Sequence, residues 1–175
     1  QLPNSTKGTE IYKVKLINEI SKALQMIDEN TMTMTKVEEA LTRAQDQIFL
    51  AMQKYKFFKF ELFPPFFTVH PQNLFCKRAS EAFVEAFNSV FLCHQAVMVH
   101  GRYIAEEPTV VHFWVQVDKK FIVDLTYGQF DVQYDRRMLV EPIASEKILG
   151  LSFIANITCS TSNQPLLNDW PKVKS

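Results

Sequence analysis

Glycine is scarce in this chain, with four in 175 residues and none of them clustered. A loop that cradles phosphate needs several glycines in a short run so that backbone amides can close on the anion, so nucleotide-binding loops are excluded. Cysteine is equally sparse. Three is an odd number, which leaves at least one thiol free within the monomer and excludes a disulfide scaffold. His70, His94, His100 and His112 form no His-Xaa-Xaa-Xaa-His pair, and the cysteines form no Cys-Xaa-Xaa-Cys pair, so no metal centre and no cofactor is expected. Charge of one sign is also lacking. Lys+Arg and Asp+Glu both number 19, and a balanced chain has no global field to draw in nucleic acid or an anionic membrane. No apolar run reaches the roughly 18 residues that a membrane span requires. The opening Gln1-Leu2-Pro3-Asn4-Ser5 has neither the basic nor the apolar stretch of a secretion leader, and it points to no compartment.

What the chain has is phenylalanine, 15 of them, and two kinds of apolar periodicity. Ile11, Val14, Ile17, Ile20, Leu24 and Ile27 recur at helical steps, as do Val37, Ala40, Leu41, Ala44, Ile48 and Met52. Two helices are expected, over about 10–30 and 35–55, forming an antiparallel hairpin over 1–56 that serves as a packing or docking layer. Phe58, Phe60 and Leu62 alternate before the Pro64-Pro65 pair, as a short strand would. Ala79, Ala82, Phe83, Ala86, Phe87 and Val90 mark a third helix over 76–91, with Asn73 as a candidate cap. Strands are expected over 95–103, 110–117 and 121–126, followed by an irregular tail. Helices followed by antiparallel strands indicate an α+β fold, with a core over 57–175.

The last two strands carry the chemical argument. Val111, Phe113, Val115 and Val117 alternate with His112, Trp114, Gln116 and Asp118, and Phe121, Val123 and Leu125 alternate with Ile122, Asp124 and Thr126. A three-residue turn at Asp118-Lys119-Lys120 pairs Val117 with Phe121 and puts every apolar position on one face. His112 and Asp124 are then diagonal neighbours on the other face, close enough for an imidazole–carboxylate bond. A carboxylate beside a histidine fixes its tautomer and stabilises the imidazolium. Trp114 shares that face, which argues against a solvated ion pair.

Cys76 stands where the aromatic segment gives way to the third helix. Unpaired amides at a helix start favour thiolate over thiol and can hold an oxyanion. Lys77 and Arg78 add positive charge. Cys93, at the far end of that helix, and Cys159, in the tail, lack this setting and are expected to be structural.

The order of these pieces resembles the transglutaminase-like and papain-like cysteine enzyme superfamily. The matching segments are Cys76-Lys77-Arg78-Ala79-Ser80-Glu81-Ala82-Phe83, then His112-Phe113-Trp114-Val115, then Val123-Asp124-Leu125-Thr126, over roughly residues 73–129. The resemblance implies a core in which a helix bearing the cysteine packs on an antiparallel sheet. It makes Cys76 the nucleophile, His112 the general base and acid, and Asp124 the orienting acid. Gln72 would be an oxyanion-hole residue, and Trp114 a neighbour of the substrate. Phe75 stands before the cysteine in place of a small residue, and Leu125 follows the aspartate in place of proline. The activity expected is acyl transfer from a protein or peptide amide through a thioester, as a peptidase, a glutamine deamidase or a transglutaminase. The alternative is a non-catalytic interaction module that keeps the fold.

Overall fold

The computed structural model describes residues 2–62, 71–105, 107–130 and 138–159, with side chains from Glu10 onward apart from those of 57–62, 71–74 and 155–159. Within them the fold is α+β: four α-helices and a five-stranded antiparallel sheet. Helix α1 (Leu2–Leu24) leads through a 3-10 turn at Glu29–Thr31 into α2 (Met34–Arg43) and α3 (Gln45–Leu62). Asp28 opens the turn by accepting from the Asn30 amide at 3.0 Å, and Thr33 caps α2 by accepting from the Lys36 amide at 3.2 Å. Each satisfies an amide that has no partner inside its own helix.

Two expectations about the helical layer change here. The second helix is divided at Ala44, where φ −95° and ψ 9° leave the helical region between α2 and α3. The alternating segment Phe58-Lys59-Phe60-Glu61-Leu62 is the last part of α3 and not a strand, because helical hydrogen bonding carried forward from Gln45 overrides local β propensity. The prolines that follow, together with residues 63–70, lie outside the described residues.

Helix α4 (Pro71–Val90) begins five residues earlier than the apolar periodicity indicates. Proline suits this first position, since its missing N–H would have no helical partner there anyway. The buried face of α4 runs through Phe75, Ala79, Phe83 and Phe87, with the Phe83 and Phe87 rings 5.9 Å apart and Phe87 and Phe91 4.8 Å apart.

The sheet runs β4 (Leu139–Pro142), β3 (Phe121–Asp124), β2 (Val110–Val117), β1 (Ala96–Tyr103), β5 (Leu151–Cys159). The β2–β3 register pairs Val117 with Phe121, Gln116 with Ile122 and Val115 with Val123, as the apolar alternation requires. The turn between them holds Asp118 and Lys119 at positive φ, 52° and 55°. The irregular tail expected after Gly128 instead supplies both edge strands. β4 adds to β3, and β5 adds to β1 with a register shift between Val99 and Gly101.

The two faces of the sheet feed two cores. Ala96, Met98, Val115, Val117, Phe121, Val123 and Val140 pack with the helices, including Leu16, Ile20 and Leu24 of α1. Val97, Val99, Trp114, Ile122, Leu139, Leu151 and Phe153 form a second cluster with Tyr103 and Tyr127. The helical layer therefore shares its apolar interior with the sheet. No helix among the described residues is long and apolar enough to cross a membrane.

Candidate functional site

His112 sits near the start of β2, opposite Gly101 of β1 and beyond the last β2–β3 pair at Val115 and Val123. The imidazole is completely buried and enclosed by rings: Trp114 stacks at 6.0 Å and Phe130 meets it edge-on at 4.6 Å. Asp124 closes β3, also buried. Its Oδ2 lies 2.6 Å from His112 Nε2, while its Oδ1 accepts from the Thr126 amide at 3.0 Å and from Thr126 Oγ1 at 3.3 Å. The Asp-Leu-Thr spacing thus has a physical reason: a residue two positions on folds back to fix the carboxylate. The alternation along the hairpin predicts His112 and Asp124 as diagonal neighbours, and the 2.6 Å contact joins them.

The N-terminal part of α4 lies against the start of β2, with Lys77 Nζ 5.9 Å from the centre of the Phe113 ring. There Cys76 is a hydrogen-bond and charge partner of His112. Asp124 occupies Nε2 and leaves Nδ1 as the open nitrogen of the ring. Burial pushes the imidazole pKa down, but the Asp124 carboxylate, by charge and by hydrogen bond, and Cys76 outweigh it and raise it to about 9. The histidine therefore keeps its proton at neutral pH. Cys76, His112 and Asp124 are brought together.

One premise about Cys76 is corrected. With α4 starting at Pro71, Cys76 belongs to the second turn and not to the helix tip. Its own amide is inside the helical ladder, and the macrodipole has faded by that turn. The group that acts on the thiol is His112, and the unpaired first-turn amides lie closer to Gln72. The Gln72 side chain lies outside the described residues. Trp114 is fully buried behind the imidazole, not at a substrate-facing surface.

Comparison with protein-family models, curated proteins and solved structures finds no match. The chemistry of the site is therefore read from its own geometry.

Three features lie beyond what the sequence pattern indicates. Gln129, in the 3-10 turn Tyr127–Phe130, brings its Nε2 to 3.1 Å from His112 Nδ1. A carboxamide nitrogen only donates, so this bond exists when Nδ1 carries no proton. Glu146, with 8% exposure, accepts from Gln116 Nε2, and burial raises its pKa to about 7 against the pull of Gln116 and Trp114. Trp114 Nε1 lacks a partner of hydrogen-bonding geometry, yet it lies near enough to favour the charged form of Glu146. Gly101 is required because a Cβ there would stand 2.1 Å from Trp114 Cη2 and 2.6 Å from the Ser152 carbonyl oxygen. Signals existed for the first only in the Tyr-Gly-Gln-Phe turn that follows the aspartate.

The other cysteines occupy different settings. Cys93 is exposed in the turn after α4, with its amide donating to Glu29 Oε1 at 2.7 Å. Its neighbour His94 lies between Asp118 Oδ2 at 2.6 Å and the Glu29 carbonyl oxygen at 3.2 Å, tying the 3-10 turn after α1 to the β2–β3 turn. Cys159 ends β5, and its side chain is outside the described residues. No group of three or more His, Cys, Asp or Glu among the described residues could hold a metal ion.

Proposed function

We propose that this chain is a thiol acyltransferase or hydrolase that acts on protein or peptide amides, with a core of the transglutaminase-like kind. The observation that carries the reading is the buried relay in which Asp124 holds His112 Nε2 at 2.6 Å while Cys76 partners the same ring. The Cys76 proton resides on His112 Nδ1, and the sulfur lone pair attacks the amide carbon. The carbonyl π electrons move onto oxygen. When they return, the C–N bond breaks, the amine leaves with the His112 proton, and a thioester remains. Water or a second amine then resolves the thioester, which gives a peptidase, a glutamine deamidase or a transglutaminase.

The test pairs two readouts on a denatured, glutamine-rich protein: ammonia release and new amino termini. Wild-type chain should produce one of them. Cys76→Ala should abolish it while shifting the melting temperature by no more than a few degrees. A second reading, a non-catalytic interaction module, is favoured by one fact: Cys76 and His112 have no exposed surface. Absence of both products, even with hydroxylamine supplied as amine acceptor, would select that module.

A further inference from the structure

Around the relay, the partners of the imidazole differ in their access to solvent. Cys76, His112 and Asp124 are sealed, and the Asp124 side of the ring is closed by Thr126 as well. Gln129 is only half-buried, and it meets the ring at Nδ1, the nitrogen that Asp124 leaves open. Of the groups hydrogen-bonded to the imidazole ring nitrogens, the Gln129 carboxamide is the one that reaches toward solvent. That carboxamide carries two N–H donors and points Nε2 at Nδ1.

We infer that Gln129 is a catalytic residue that supplies the oxyanion-hole N–H for acyl transfer at Cys76. The inference rests on the acyl-transfer reading and adds a residue to it. Its logic is an exchange of acceptors. With neutral His112, Gln129 Nε2–H donates to the Nδ1 lone pair. Once the thiol proton occupies Nδ1, that acceptor is gone, and the Gln129 N–H is released beside the sulfur. The sulfur lone pair then forms the C–S bond, and the displaced carbonyl π pair settles on oxygen, where Gln129 Nε2–H binds it. When that pair returns to carbon, the leaving group departs with its bonding electrons and the oxyanion contact is lost. Donors set before the charge develops need no reorganisation as it forms, and one such donor contributes about 10²–10³-fold in rate. Because Gln129 Nε2–H can donate to His112 only while Nδ1 carries no proton, its removal takes away a contact of the neutral ring and leaves the charged ring, which predominates at neutral pH, at least as populated.

Two reagents separate this role from simple positioning of the ring. Iodoacetamide alkylates sulfur at a saturated carbon and forms no oxyanion. p-Nitrophenyl acetate acylates sulfur through one and expels p-nitrophenolate. Mass spectrometry assigns each adduct to Cys76, and the full chain is compared with Gln129→Ala and with Gln129→Glu, which keeps the shape but offers no N–H when ionised. Acetylation of Cys76 should fall roughly 10²-fold in both variants. Alkylation at the same pH should hold within about threefold of wild type or rise, which also shows that the variants are folded. Parallel losses with the two reagents, or no loss with either, would overturn the assignment while leaving a working Cys76 in the wild type. A wild-type chain left unacetylated at Cys76 would overturn the acyl-transfer reading and this assignment together.

Discussion

Asp124 has a defined task for each of its oxygens, and that division decides what its amide replacement would do. Oδ1 is held by the amide and hydroxyl of Thr126, two donors, so an asparagine at this position keeps its oxygen there. The NH2 group then faces His112 Nε2, where Oδ2 now lies at 2.6 Å. A donor on Nε2 forces the neutral ring to carry its proton on Nδ1, toward Cys76, and the ring can no longer accept the thiol proton. Asp124→Asn should therefore leave the fold intact and lower Cys76 acetylation by p-nitrophenyl acetate by about 10²–10⁴-fold, the span of general acid–base catalysis. Retention of more than a tenth of the wild-type rate at pH 7 would show that the carboxylate does not set the tautomer.

At the scale of elements, the β-hairpin was the legible part of the chain and the helix starts were not. Side-chain alternation on a strand has a period of two, so a one-residue slip at Asp118-Lys119-Lys120 would have turned Val111, Val115 and Val117 to the wrong face. That constraint fixed the register of Val115, Val117, Phe121 and Val123, and with it the meeting of His112 and Asp124. Helix α4 offered no equal constraint. Its first turn, Pro71-Gln72-Asn73-Leu74, carries little of the apolar stripe that begins at Phe75, and so Cys76 read as the tip. Nor does β4 announce itself, since four residues are too few to show a period. Least legible was the contact between β1 and β2. Gly101 lies opposite His112, and its missing Cβ leaves room for the Trp114 indole. Gly101→Ala should push that ring toward the imidazole it stacks on and cost about 1–3 kcal/mol, the usual penalty of overfilling a packed interior. Urea unfolding and the near-ultraviolet tryptophan dichroism would both register the change. An unaltered midpoint with native dichroism would mean that the strands separate without cost.

For the whole molecule, two buried groups whose pKa values are raised into the range between pH 5 and 9, His112 and Glu146, act in the same direction, although one is an acid and the other a base. His112 titrates near 9 in the folded chain against an ordinary 6.5, so its stabilising contribution is complete below about pH 6.5 and is lost as pH rises through 9. Glu146 titrates near 7 against an ordinary 4.5. Between those values the native state binds the proton that the unfolded chain has released, so stability again declines as pH rises, here from about 4.5 to 7. Each displacement corresponds to roughly 3 kcal/mol. The melting temperature should then fall continuously from pH 5 to pH 9, in two overlapping stages that substitution can separate. Glu146→Gln keeps the oxygen that accepts from Gln116 and cannot ionise, so it should raise stability at pH 8 by about 2–3 kcal/mol and erase the slope below pH 7. Asp124→Asn, which removes the charge that holds the His112 proton, should flatten the slope above pH 7 and leave the lower stage in place. The two stages belong to one sheet face, with Trp114 stacked on His112 and adjacent to Glu146, so the double variant need not be the sum of the singles. A melting temperature that climbs between pH 6 and 9 in the wild-type chain would mean that neither proton is held as this interior requires.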